Sequence, residues 1–265
     1  MNIYKRELKS EQRSLLYWIL GAGFTLFASM SAFPMMENSG VDISNFMEAM
    51  PRTLSILFGM NDLDMGSAMG YHGILIYYVI LAGAIYGAML GVRLVSKEEL
   101  LKTSEFLLTR PRARRSILLA KVLAGLTLVL LFTLSVYGFS LLSFLAFTPD
   151  VAYGEILIME TVSLLLIMVI FYSFGIMSAA LWRKARVSSA VTLVMVLFTF
   201  ILSIFHDLMK NPPVLRVLTP FRYFPLADLV EKSDFAMGFL LLSLLLILVL
   251  VFASFFSYER RDMSI

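Results

Sequence analysis

At 265 residues, 59% hydrophobic and only 15% charged, the chain carries more apolar surface than a soluble domain of its length can bury, which makes it an integral membrane protein. Its net charge of +3 is small, so nothing in the charge balance points to a nucleic-acid partner. Cysteine is absent and the two histidines, His72 and His206, lie far apart, which excludes thiol chemistry and speaks against a metal cluster.

Met1 to Arg13 mixes Lys5, Arg6, Lys9 and Arg13 with Ile3, Tyr4 and Leu8, and reads as a short helix at a membrane interface. Ser14 to Met36 is the first apolar run. Its basic flank and the small residues at Ser29-Met30-Ser31 imitate a signal peptide, but the run is too long for a signal core, so a span over 14–36 is expected. About 20 apolar residues suffice to cross the hydrocarbon. The mixed loop 37–70 includes Ile43 to Phe58, apolar at roughly helical spacing and interrupted by Pro51, which suggests one or two short helices.

A second span covers 71–95 and is rich in small residues, including Gly83, Gly87 and Gly91, the signature of close helix packing. Further spans are expected over 116–147, 155–182, 187–205 and 235–258. The fourth and fifth are joined by the basic turn Arg183-Lys184-Ala185-Arg186, and the long loop 206–234 holds Pro212, Pro213, Pro220 and Pro225. The fold class is thus all-α, a single membrane domain of six transmembrane helices with both termini on one side.

Between the second and third spans lies the one sizeable charged segment flanked by long apolar runs, Lys97 to Lys121. As a helix over 97–110, it places Leu100, Leu101, Ser104, Leu107 and Leu108 in one stripe, with Glu98, Lys102, Glu105 and Thr109 opposite. Pro111 breaks the pattern, and Arg110, Arg112, Arg114 and Arg115 crowd the start of the next run. Two readings fit: a solvated helix lying on headgroups, or a helix that docks on a partner. The basic residues orient the chain, since 17 of the 22 fall on the side of the termini and five on the other. By the positive-inside rule both termini are expected in the cytoplasm, with a prokaryotic plasma membrane as the setting.

No Walker-type phosphate loop occurs, so the chain is not expected to be an ATPase itself. With six spans and inside termini, the charged segment resembles the region between the second and third spans of permease subunits of type 2 ABC exporters. Glu98 and Glu99 match that family's paired acids, Thr103 and Glu105 its Thr-x-Glu, and Leu107 and Leu108 its leucines. Pro111, Arg114 and Lys121 match its proline, arginine and lysine, while Lys102 stands where glycine is usual. Leu215 to Phe224 is similar to the family's Ser-Pro-Phe-x-Tyr-Phe segment, with Thr219 for serine, and Arg260-Arg261-Asp262 to its usual terminus.

The resemblance implies that 97–110 is a coupling helix docking on a separate ATP-binding cassette ATPase subunit, with Glu98, Glu99, Leu101, Thr103, Glu105, Leu108 and Arg114 at the contact. It implies a second permease chain, identical or similar, surrounded by membrane lipid, and an alternating-access cycle. It also implies that the loop before the last span folds back as short helices over the outer mouth. No cofactor is expected on this chain; ATP and magnesium belong to the partner. Export of a hydrophobic or amphipathic substrate is the expected function. A secondary transporter or a membrane-embedded enzyme are the alternatives; the first needs deep coupling acids and an internal repeat, the second a polar cluster at membrane depth.

Individual residues carry two readings each. Glu160, on the outer side of the fourth span, is either a substrate-path or gating acid or a glutamate snorkelling to headgroups. Tyr78, Tyr86 and Tyr172 either line a path for a greasy substrate or serve as packing. Lys121 is expected to snorkel towards the cytoplasm.

Overall fold

The computed structural model describes residues 3–37, 50–60, 63–100, 114–149, 151, 153–182, 184–232 and 234–260; at 98–100 and 230–232 it describes backbone only. The helices are α1 (Ile3–Met30), α2 (Phe33–Glu37), α3 (Arg52–Leu57), α4 (Ala68–Leu100), α5 (Arg114–Phe147) and α6 (Gly154–Leu181). They continue as α7 (Ala185–Leu208), α8 (Pro213–Leu218), a 3-10 turn (Pro220–Arg222), α9 (Leu226–Lys232) and α10 (Met237–Arg260). Six of them, α1, α4, α5, α6, α7 and α10, are long and apolar enough to cross a membrane, the number expected from the apolar runs. Among the described residues every regular element is helical.

These helices form because nothing in hydrocarbon competes for their backbone groups, which must bond within the segment. Hydroxyl side chains follow the same logic and bond back along their own helix. Thr133 donates to Val129 O at 3.0 Å, Ser143 to Phe139 O at 2.7 Å and Thr161 to Leu157 O at 2.6 Å. Serine and threonine thereby become tolerable at membrane depth.

α6 stands at the centre, against α4, α5, α7 and α10, while α1 lies against α5 and α4. Two thirds (67%) of the apolar window of α6 is buried, against 11% for α10, which makes α10 the outlying helix. The α4–α6 contact runs backbone to backbone. A methyl group at Gly87 would stand 3.0 Å from Met168 O, one at Gly91 would meet Tyr172 O, and one at Gly175 would meet Ala88 O. Small residues permit this approach, and dispersion across it replaces the hydrophobic drive that lipid cannot supply. The close packing suggested by the glycine-rich second span is therefore made with α6.

The chain departs from expectation at its start. The amino-terminal charged stretch is not a separate surface helix but the first turns of α1, continuous with the span. α4 likewise runs on through Glu98 and Glu99 to Leu100. At the other side of the bundle α8, the 3-10 turn and α9 fold back between α7 and α10, against α7 and α6. At the sharp turn from α6 to α7 two serines lock the helices: Ser178 Oγ donates to Ser188 O at 3.2 Å, and Ser188 Oγ to Trp182 O at 3.2 Å.

Candidate functional site

Two ends of the bundle carry polar clusters. At the end where α1 begins and α10 finishes, α1 turns two acids one helical turn apart inward, and α4 presents two bases at the same spacing. Glu7 Oε2 lies 3.2 Å from Lys97 Nζ, and Glu11 Oε2 lies 3.2 Å from Arg93 Nε. Arg6 closes on Glu7 at 2.7 Å, Lys97 also donates to Ser10 Oγ, and Arg93 donates to Ser14 Oγ at 3.1 Å. Lys121, fully buried, donates to Leu94 O, and its charge together with that of Lys97 acts on Glu7. It does not snorkel: the carbonyl of Leu94 and the buried carboxylate of Glu7 hold it inside the bundle.

These contacts frame the segment proposed for coupling. Its approach, at Lys97, is tied to α1. Its exit is tied to α10, where Arg114 Nη1 donates to Glu259 O at 3.3 Å and Arg115 pairs with the Glu259 carboxylate through both Nε and Nη2. Of the expected contact residues, Arg114 is thus at the frame, and Glu98 and Glu99 are in the last turn of α4. Leu101, Thr103, Glu105 and Leu108 lie outside the described residues.

The expected path residues sit in different surroundings. Glu160 is 2% exposed and sits 3.3 Å from His72 Nδ1, whose Nε2 is 3.0 Å from Ser140 Oγ. It does not snorkel; three helices close round it, and the Phe144 ring lies tilted against His72 at 5.0 Å between centroids. Tyr86 is buried between the rings of Trp18 and Phe132. Tyr172 is buried and donates to Val122 O at 3.0 Å, occupying the notch left by Gly125. Tyr78 is 39% exposed at the side of α4 and donates to Phe58 O at 3.1 Å.

The opposite end is closed by the folded-back segment. Asp207, at the last turn of α7, pairs with Arg222 of the 3-10 turn and with His206 Nδ1 at 2.9 Å, while Arg52 of α3 donates to Asp207 O at 3.4 Å. Arg216 bridges Asp228 at 3.1 Å and donates to Arg222 O at 3.1 Å. Burial pushes the Tyr223 phenol up to about 12, so it remains a donor to Val217 O at 2.7 Å. Beneath this cap a cavity of about 50 Å³ is lined by Ile56, Gly73, Tyr77, Asp207, Phe221 and Arg222.

The chain matches the family described as ABC-2 family transporter protein over residues 1–263. It belongs to that family. A comparison with curated proteins returns no match to it. As an ABC-2 family member the chain is a multi-pass membrane permease, the subunit that associates with an ATP-binding cassette ATPase.

At the basic end of the bundle the sequence held one overlooked signal. Glu7 and Glu11, four apart, complement Arg93 and Lys97, also four apart, which is the pattern of two antiparallel helices laddered by ion pairs. No comparable signal announced His72 with Glu160, or Asp207 with Arg222, because each pair is set by helix packing alone.

Proposed function

We propose that this chain is the membrane half of an ATP-driven exporter for hydrophobic or amphipathic substrates such as drugs, antimicrobial peptides or lipid-like molecules. A separate ATPase subunit, carrying ATP and magnesium, docks on the segment 97–110, with Glu98, Glu99, Glu105 and Arg114 setting register and Leu101 and Leu108 supplying area. The permease acts as a pair of identical or similar chains in the cell membrane, with both termini in the cytoplasm. The observation that carries this reading is the framing of that segment. It is flanked on both sides by ion pairs, α4 to α1 at Lys97 and α5 to α10 at Arg115, so that a push on it would be passed to four helices together.

The test is a pull-down of the detergent-solubilised chain from its native membrane, comparing the parent with a Glu98→Ala, Glu105→Ala, Leu108→Ala variant. Recovery of a Walker-type ATPase with the parent alone supports docking at this segment. Its absence from both would remove the ATP-driven reading, and equal recovery with both would move the dock elsewhere.

A further inference from the structure

α1 is 28 residues long, about 42 Å at 1.5 Å per residue, and exceeds the roughly 30 Å of a bilayer's hydrocarbon core. Its apolar run starts near Leu15, so the charged first turns stand at headgroup depth. There the helix is divided. Glu7 and Glu11 face the bundle and are held by Lys97 and Arg93, which fixes the rotation of the helix about its axis. Lys5, Lys9 and Arg13, each four residues from the next, are exposed, and no acid pairs with them among the described residues.

The same ridge continues inward as Tyr17, Gly21 and Thr25. Tyr17 is 71% exposed. With Trp18 and, on α4, Tyr78 and Val79, these residues line an open groove of about 430 Å³ between α1 and α4. Thr25 has spent its hydroxyl on Gly21 O at 3.0 Å and Tyr78 its own on Phe58 O, which leaves the wall largely apolar. From Arg13 to Thr25 the ridge rises about 18 Å.

We propose that this groove and its basic mouth bind one anionic phospholipid, its phosphate held by Lys9 and Arg13 with Lys5 alongside, and one acyl chain seated against Trp18, Gly21 and Thr25. The order of chemistry along the ridge is that of a lipid: cations at the phosphate, a phenol at the interface, apolar wall at the chain. An ATPase would have use for the cations but not for the groove at membrane depth. A second copy of this chain in the same orientation would bring its own basic ridge to the same level and add like charge to like. The lipid is a resident ligand, separate from any cargo, and the inference does not depend on the export reading.

The chain has two tryptophans, and Trp18 forms the groove wall. A Trp182→Phe variant of the full chain therefore reports from the groove alone when reconstituted with lipids brominated on the acyl chain. Brominated phosphatidylglycerol should quench Trp18 at a lower mole fraction than brominated phosphatidylcholine. Each basic residue near a charged headgroup is worth about fivefold in affinity. Lys9→Gln with Arg13→Gln, both exposed and harmless to the fold, should therefore erase a preference of roughly 20-fold. Gly21→Leu, whose side chain enters open space, should reduce quenching by both lipids because it fills the groove. Equal quenching by the two lipids in the parent, or a preference that survives the double substitution, would overturn the proposal. So would protection from both lipids together with cross-linking of α1 to a second copy, which assigns the groove to a protomer contact.

Discussion

Lys97 Nζ stands 3.2 Å from Glu7 Oε2, joining residues 90 positions apart one turn before the end of α4. Glu7 is fully buried in this arrangement and Lys97 is not, so the pair is asymmetric: the acid depends on its cations more than they depend on it. Removing one partner of a buried pair typically costs about 3–5 kcal/mol, because the other charge is stranded. Lys97→Gln should be the milder change, as Arg6 and Lys121 still face Glu7. Glu7→Lys, which would put like charges against Lys97 and Lys121, should abolish the folded protein or its ATPase coupling. The exchange Glu7→Lys with Lys97→Glu should recover part of the loss. Thermal unfolding in detergent, read beside ATPase recovery in the pull-down, checks both.

Glycine at the α4–α6 crossing is predicted to be irreplaceable, and a glycine that faces open space, such as Gly138, to be dispensable. Gly91→Ala and Gly175→Ala each drive a methyl group into a backbone carbonyl of the facing helix and should prevent the two helices from closing. Gly138→Ala, by contrast, meets nothing within 4 Å and should stabilise the helix by about 0.5–1 kcal/mol. Comparing the yield of monodisperse protein for the three variants tests the crossing directly. Equal yields would show that the bundle repacks.

Glu160 and His72 bind α4, α5 and α6 together through Ser140, and one oxygen of Glu160 has no hydrogen-bond partner among the described residues. Glu160→Gln keeps the shape and should cost less than Glu160→Ala, which leaves His72 buried without its partner at about 1–3 kcal/mol. If Glu160 instead touches cargo, Glu160→Gln would change transport at unaltered thermal stability. Measuring both on one preparation separates scaffold from path.

At the cap, the Asp207–Arg222 pair ties the 3-10 turn to the last turn of α7. Asp207→Asn should loosen this tie and open the small cavity beneath. Because the chain has no cysteine, an Ala227→Cys substitution at the cavity wall provides a single thiol for labelling. Its reaction with a water-soluble maleimide should accelerate several-fold when Asp207→Asn is added. An unchanged rate would mean that the cap is held by its aromatic contacts, such as Phe171 on Phe221 at 5.1 Å, and not by the ion pair.

The class and the six spans were legible in the sequence, since a bilayer imposes a length and a hydropathy on each helix that no partner is needed to define. Gly83, Gly87 and Gly91 announced a close contact, though not with which helix. Glu160 and Lys121 illustrate what local reading could not reach. Both are shallow enough to escape to the headgroups, yet both are buried, because His72 lies 88 positions from the one and Leu94 O lies 27 from the other. Whether a charge in a membrane helix turns to water or to a partner depends on the energy of a contact formed only when helices distant in sequence pack side by side. The sequence by itself determined what crosses the membrane; tertiary packing decided which charges are held inside it, and so how α4 and α5 are tied to α1 and α10.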